Sequence, residues 1–339
     1  MNKLWNIAIV GAAGTVGAEL VSILEERDFP VGTLQLFASA GSVDETLGFR
    51  GEDLDVLELS EDCFAGIDLV FFTSDIEDSR SLCPSAVAAG AVCIDCSGTW
   101  RMDPEVPLVV PEVNPGDIAQ YRNRGIIANP GSSTVQLVLP LKALDDFSPV
   151  QRVVVSTYQA VSDSGAGAIE ELRKQVGELL NGRPIESHTY PHQIGFNCLP
   201  HIDVFLDDGY TREETNLVDE TRKILGNSEM KITATAVRVP VFYGNGESIN
   251  VETAAKITPE KARELFASFP GLKVVDEPGG NLYPLPVETA GTDLVSVGRI
   301  RQDLSIGSGL NLWTAADNVR KGTATNAVQI AELLIAQYL

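Results

Sequence analysis

The run Asn6-Ile-Ala-Ile-Val-Gly11 is short and continuously apolar, and Gly11-Ala-Ala-Gly-Thr-Val-Gly17 follows at once. Such a run suits a parallel strand buried on both faces. Residues 18–27 then read as a helix. Strand, glycine turn and helix in this order open a βαβ unit, which constrains the fold more than any other feature of the chain. The spacing of Gly11, Gly14 and Gly17 is one residue wider at the start than the usual dinucleotide fingerprint. Such glycines let backbone N–H groups approach a pyrophosphate at a helix N-terminus. A tightly packed βα turn without a ligand is the other reading of the same residues.

The alternation continues. Residues 34–38, 69–72, 92–95 and 126–128 read as strands, with a helix-like stretch at 84–89. Alternating β and α elements up to about residue 130 predict a doubly wound parallel sheet. Beyond it the grammar changes. Residues 152–157, 231–241, 249–257, 293–300 and 310–314 read as strands. Residues 168–180, 212–225 and 259–269 read as helices, with Thr211 as a cap. The tail 318–339 repeats apolar residues at helix spacing. The expected fold is α/β: a Rossmann-type doubly wound N-terminal domain plus a mixed α+β domain. The expected boundaries are 1–130 with 315–339 for the first domain and 131–314 for the second.

With 339 residues there is room for two separate cores. No apolar run reaches the length of a membrane span. Met-Asn-Lys-Leu-Trp leads straight into a strand, so no signal peptide is expected. Five cysteines in this length do not make a disulfide framework, and a cytoplasmic setting is expected. The net charge of −22 argues against nucleic acid and anionic membranes as partners. Cys93-Ile-Asp-Cys96 is a single CxxC, and side chains three apart on a strand face opposite sides. No metal site is expected.

Residues 126–128 run into Asn129-Pro-Gly131, and Ser132, Ser133 and Thr134 stand where a helix over 135–144 begins. Serine and threonine are good N-caps, and capping is the first reading of Ser132. A nucleophile here would be exposed at a tight turn, with helix N–H groups pointing at it. The segment resembles the active-site turn of the aspartate-semialdehyde dehydrogenase family, Asn/Cys-Pro-Asn-Cys-Ser/Thr-Thr. The resemblance extends through Arg101 to Asn114, Val155 to Ser162, Phe196 to Phe205, Val237 to Val241, Val297 to Arg301, and Asp317-Asn318 with Lys321-Gly322. On these segments the chain is identified as a member of that family, most like its Usg-type paralogues, which lack the catalytic cysteine.

The resemblance implies a reaction: NADPH-dependent reductive dephosphorylation of aspartyl phosphate to aspartate semialdehyde. It also implies a homodimer formed through the second domain and a small carboxylate or phosphate ligand. Ser132 matches the catalytic cysteine, and Gly131 the asparagine before it. A serine hydroxyl is far less acidic than a thiol and needs a strong base. The family histidine, seven residues after the arginine of Arg-x-Pro-Val, falls on Asn245, which cannot exchange protons at neutral pH. His188, His192 and His201 lie away from that motif and read as surface or packing residues. Arg101 matches the phosphate-holding arginine and Arg238 the carboxylate-holding one, each open also to an interdomain salt-bridge reading. Gln159 matches the glutamine that orients the acyl group, and Glu213 the acidic substrate contact. The lysine three residues beyond is Asn216, and the family's Gly-Ala-Gly reads Asp163-Ser164-Gly165, which crowds the same region.

The implied cofactor is NADP, at Gly11, Gly14, Thr15, Val16, Gly17, Ser39 and Asn318. Where the family carries Ser-x-Arg-Ser-Ala-Gly for the 2′-phosphate, this chain has Gly41 at the arginine position, followed by Asp44 and Glu45. Asp75 and Ile76 stand where the family has a glycine pair. Weakened cofactor affinity and loss of the family reaction are therefore expected. The alternative is an active oxidoreductase or hydrolase-like enzyme using Ser132 or Cys96.

Overall fold

A computed structural model describes residues 3–39, 45–60 and 62–339. The chain divides into two compact units, residues 1–131 with 323–339, and residues 132–322. The first unit starts with strand β1, Trp5–Val10, helix α1, Thr15–Glu26, and strand β2, Val31–Ala38. A hairpin follows, β3 at Thr46–Phe49 and β4 at Glu52–Glu58. Then come β5, Leu69–Phe72, helix α2, Ile76–Ala88, and strands β6, Val92–Asp95, and β7, Ile126–Ala128. The sheet order is β3-β4-β2-β1-β5-β6-β7. Only the β3–β4 pair is antiparallel. β1 therefore lies at the centre with β2 and β5 on its flanks, the doubly wound arrangement expected. The hairpin was not expected: β3 is four residues with a glycine and β4 is mostly exposed and acidic, which hides the strand pattern.

The core of this unit joins Ile7, Ile9, Leu20, Leu24, Leu36, Phe71 and Ile94 to the C-terminal helix Thr325–Gln337 through Ala327, Val328, Ala331 and Leu334. Fully burying one such aliphatic side chain contributes about 1.5–3 kcal/mol. The return to the first unit comes at Thr323, later than residue 315. The reason is sheet pairing: the last strand, Gly309–Ala316, is hydrogen-bonded along its length within the second unit. The tail also departs from one continuous helix. A π-helical turn, Arg320–Ala324, precedes the final helix.

The second unit holds a six-stranded mixed sheet. Its strands are β8, Val150–Gln159, β9, Lys231–Arg238, β10, Asn245–Thr253, β11, Leu272–Val274, β12, Val295–Gln302, and β13, Gly309–Ala316. The order is β11-β12-β13-β10-β8-β9. Helix α3, Ser132–Asp145, buries Val135 through Leu141 without a break and packs on β8, β10 and β13. A helix apolar all round is a core helix. The other helices are α4, Ala166–Leu180, α5, Arg212–Leu225, and α6, Pro259–Ser268. Thr211 caps α5 in a capping box with Glu214, as its sequence suggests. Among the described residues no helix is long and apolar enough to cross a membrane, and no group of three or more His, Cys, Asp or Glu could hold a metal ion.

Candidate active site

In the first unit the glycine turn is built by close backbone approach. Gly11 and Ala12 donate N–H groups to the Phe37 carbonyl, and Gly14 donates to that of Gly11. Gly11 has φ +86°, and a Cβ there would lie 2.6 Å from the Ser74 nitrogen. A Cβ on Gly17 would run into the Gly11 carbonyl. Gly14 is the N-cap of α1 and brings no side chain to it, and Thr15 and Val16 form the first turn. Ser39 is exposed at the end of β2, and so is Glu45; Gly41 and Asp44 lie outside the described residues. Asp75 caps α2, accepting from the Glu77 and Asp78 N–H groups, and Ile76 is exposed beside it.

Arg101 also lies in the first unit. Its Nε donates to the Asn129 carbonyl at 3.0 Å and its Nη2 to that of Cys96 at 3.2 Å. Asn129 is fully buried, and its side chain joins the Thr323 carbonyl and the Asn326 amide of the C-terminal segment. Cys93 lies on buried β6, whereas Cys96 is just past the strand end. Burial first, and then the charge of Asp95, push the Cys96 thiol far above its ordinary range, against a smaller opposing pull from Arg101. A thiol held so firmly protonated is a poor nucleophile.

The second unit collects the polar residues around one carboxylate, Asp163. It sits in the 3₁₀ turn Val161–Ser164, just after β8. Ser132 Oγ donates to its Oδ1 at 3.2 Å, and Asn318 Nδ2 does so at 2.9 Å. Asn245 Nδ2 donates to its Oδ2 at 2.9 Å and also to Ser132 Oγ at 3.3 Å. Arg238 Nη1 lies 3.4 Å from Oδ2 and donates at 2.6 Å to the Ala160 carbonyl. Gln159, at the end of β8, donates to Glu213 Oε1 at 2.8 Å. The register explains the convergence: Gln159 pairs with Arg238 across β8 and β9, and Asn245 begins the strand on the other side of β8.

One expectation changes here. Ser132 is the first residue of α3, and its hydroxyl turns to Asp163 and Asn245, which replaces the capping reading. Asn318 stands in the second unit, bonded to Ser162, Asp163 and the Gly244 N–H. The three histidines serve elsewhere: His188 meets Glu186, His201 stacks on Phe205, and His192 is exposed.

Three participants were not singled out as site residues in the sequence. Asp163 was legible only as crowding. Gly322 backs Ser132 so closely that a Cβ would lie 2.8 Å from the serine Cβ. Glu247 is fully buried, with Oε2 accepting from Thr314 and Oε1 without a hydrogen-bond partner. Burial pushes its carboxyl well above the usual range, and the Glu213 charge adds to this against the Thr314 hydrogen bond.

A glycine-turn Rossmann unit joined to a mixed-sheet unit with a polar cluster defines a two-domain protein of the NAD(P)-binding dehydrogenase class. Residues 6–121 match the semialdehyde dehydrogenase NAD-binding domain, and residues 141–321 its dimerisation domain. The chain is similar to the aspartate-semialdehyde dehydrogenase of Aquifex aeolicus, 50% identical over 337 residues and 99% of each chain. It is 49% identical to that of Legionella pneumophila, over 100% of this chain and 98% of the relative. The solved aspartate semialdehyde dehydrogenase II from Vibrio cholerae, complexed with ASA, superposes with a TM-score of 0.97 at 45% identity over the full length of both. A probable aspartate-semialdehyde dehydrogenase from Pseudomonas aeruginosa gives 0.94 at 33% identity, covering 99% of this chain and 100% of that one. The chain belongs to the aspartate-semialdehyde dehydrogenase family.

Proposed function

We propose that this chain is a family member that no longer carries out reductive dephosphorylation of aspartyl phosphate. One observation carries the reading: the hydroxyl at the family's nucleophile position lies against an amide and a committed carboxylate. The family chemistry needs a thiolate and an imidazole at these two places. Ser132 supplies a hydroxyl, and Asn245 can neither take nor return its proton. Asp163 accepts from Asn245, Asn318 and Arg238 as well as Ser132, so its oxygens are already committed. Cys96 offers no substitute, because its thiol is held protonated. The retained Gln159, Glu213 and Arg238 support a role in binding a small molecule, and the match to the dimerisation domain supports a homodimer.

The match of residues 6–121 to the NAD-binding domain, with Gly14 at the head of α1, supports a dinucleotide pyrophosphate at this turn, and the Cβ collisions at Gly11 and Gly17 account for the glycines by tight packing. Gly11, Gly14, Thr15, Val16 and Gly17 would hold NADP or NAD, which supplies a hydride when bound. The Asp75 carboxylate brings negative charge beside this strand end, in keeping with weak affinity.

The competing reading is an active oxidoreductase that uses Ser132. Identity of about half to proteins named as the enzyme favours it. NADPH and NADH turnover with aspartate semialdehyde and phosphate separates the two. The proposed outcome is no rate above a mock preparation; clear turnover by the unmodified protein sinks it.

A further inference from the structure

Arg238 ends β9 with its side chain only 5% exposed. Its guanidinium is equipped for two parallel hydrogen bonds to a carboxylate. It makes one long contact with Asp163 Oδ2, and its Nε is buried without a hydrogen-bond partner. A buried guanidinium nitrogen left unmatched is costly, and an arginine fork suits a bidentate anion. The pairing with Asp163 therefore fills an anion seat by half. The same carboxylate also takes the Ser132 hydroxyl and the amides of Asn245 and Asn318. It lies between the arginine fork and these three donors.

The geometry points to Asp163 as a built-in occupant of this seat and as the residue that sets its specificity. Resting on the reading of the site proposed above, the inference is that Asp163 neutralises Arg238 and excludes carboxylate ligands. A second carboxylate entering beside Asp163 to reach the buried Arg238 meets like charge at close range. Removing the Asp163 side chain takes the negative charge from beside Arg238 and withdraws one acceptor from each of the Asn245 and Asn318 amides, while Nη1 keeps its bond to the Ala160 carbonyl.

The test is calorimetric titration of the full chain with L-aspartate as a stable carboxylate probe. Asp163→Gly is expected to bind the probe at least about tenfold more tightly than the unmodified protein. Asp163→Asn, which keeps the shape and removes the charge, gives a smaller gain in the same direction. Arg238→Ala added to Asp163→Gly removes the gain. Thermal melting of each variant shows that it is folded, and Asp163→Asn decides the matter if Asp163→Gly does not fold. Unchanged affinity in a folded Asp163 variant, or a gain that survives loss of Arg238, overturns the inference. Turnover by the unmodified protein would instead count against the loss of activity, and leaves these binding comparisons readable.

Discussion

Asn245 Nδ2 donates a hydrogen bond to Ser132 Oγ over 3.3 Å, across 113 residues of chain. An amide here fixes the hydroxyl in place and cannot act on its proton. Ser132→Cys alone is therefore expected to give little or no NADPH-linked turnover. Adding Asn245→His is expected to raise the rate by about a hundredfold or more, the usual range for a positioned base. Adding Asp163→Gly raises it further. Full rescue by the single cysteine variant would show that Asn245 and Asp163 matter less than their geometry suggests.

Glu247 makes stability depend on pH. Burial holds its carboxyl neutral well above the ordinary value of 4.5. The unfolded chain sheds this proton near that value, while the folded chain keeps it. Stability from this group is thus greatest at acid pH and falls as pH rises toward the raised folded value. Glu247→Gln mimics the neutral acid and removes the dependence. Its stability relative to the unmodified protein is expected to improve from mildly acidic to mildly alkaline pH, by at most about 1.4 kcal/mol per pH unit. Urea unfolding across this range measures it, and a constant difference contradicts the assignment.

Cys96 and Cys198 differ in access. Cys198 is exposed, whereas burial and Asp95 keep the Cys96 thiol protonated. Iodoacetamide followed by peptide mass spectrometry is expected to label Cys198 first and leave Cys96 largely intact in the folded protein. Rapid labelling of Cys96 would revive it as a nucleophile.

Thr211 anchors the helix that carries Glu213. Its hydroxyl accepts from the Glu214 N–H, and the Glu214 carboxylate accepts from the Thr211 and Ala236 N–H groups. Thr211→Ala is expected to cost about 1 kcal/mol, read from chemical denaturation. A change well below this would mean that Glu214 holds the helix end without its partner.

Local signals made much of the scaffold legible. Apolar runs marked the buried strands of the first sheet, and Thr211 marked the start of its helix. Charged residues along Glu52–Glu58, and the glycine in the four-residue Thr46–Phe49, hid that hairpin. Family motifs located Ser132, Gln159, Glu213, Arg238 and Asn245 as separate positions. A motif carries the type of a side chain but not the atom it faces, so Ser132 read as a cap, whereas its hydroxyl faces Asp163 and Asn245.

The sequence by itself determined most of the order of strands and helices, the glycine turn, and the absence of a cysteine and a histidine at two positions. These follow from covalent identity and short-range periodicity. Only the tertiary structure decided what surrounds Ser132. Pairing of β8 with β9 and β10 brings Gln159 opposite Arg238, and the turn after β8 sets Asp163 against Asn245 and Asn318. Hydrogen bonds between residues 31 to 155 positions apart depend on sheet register and packing, and no local pattern records them.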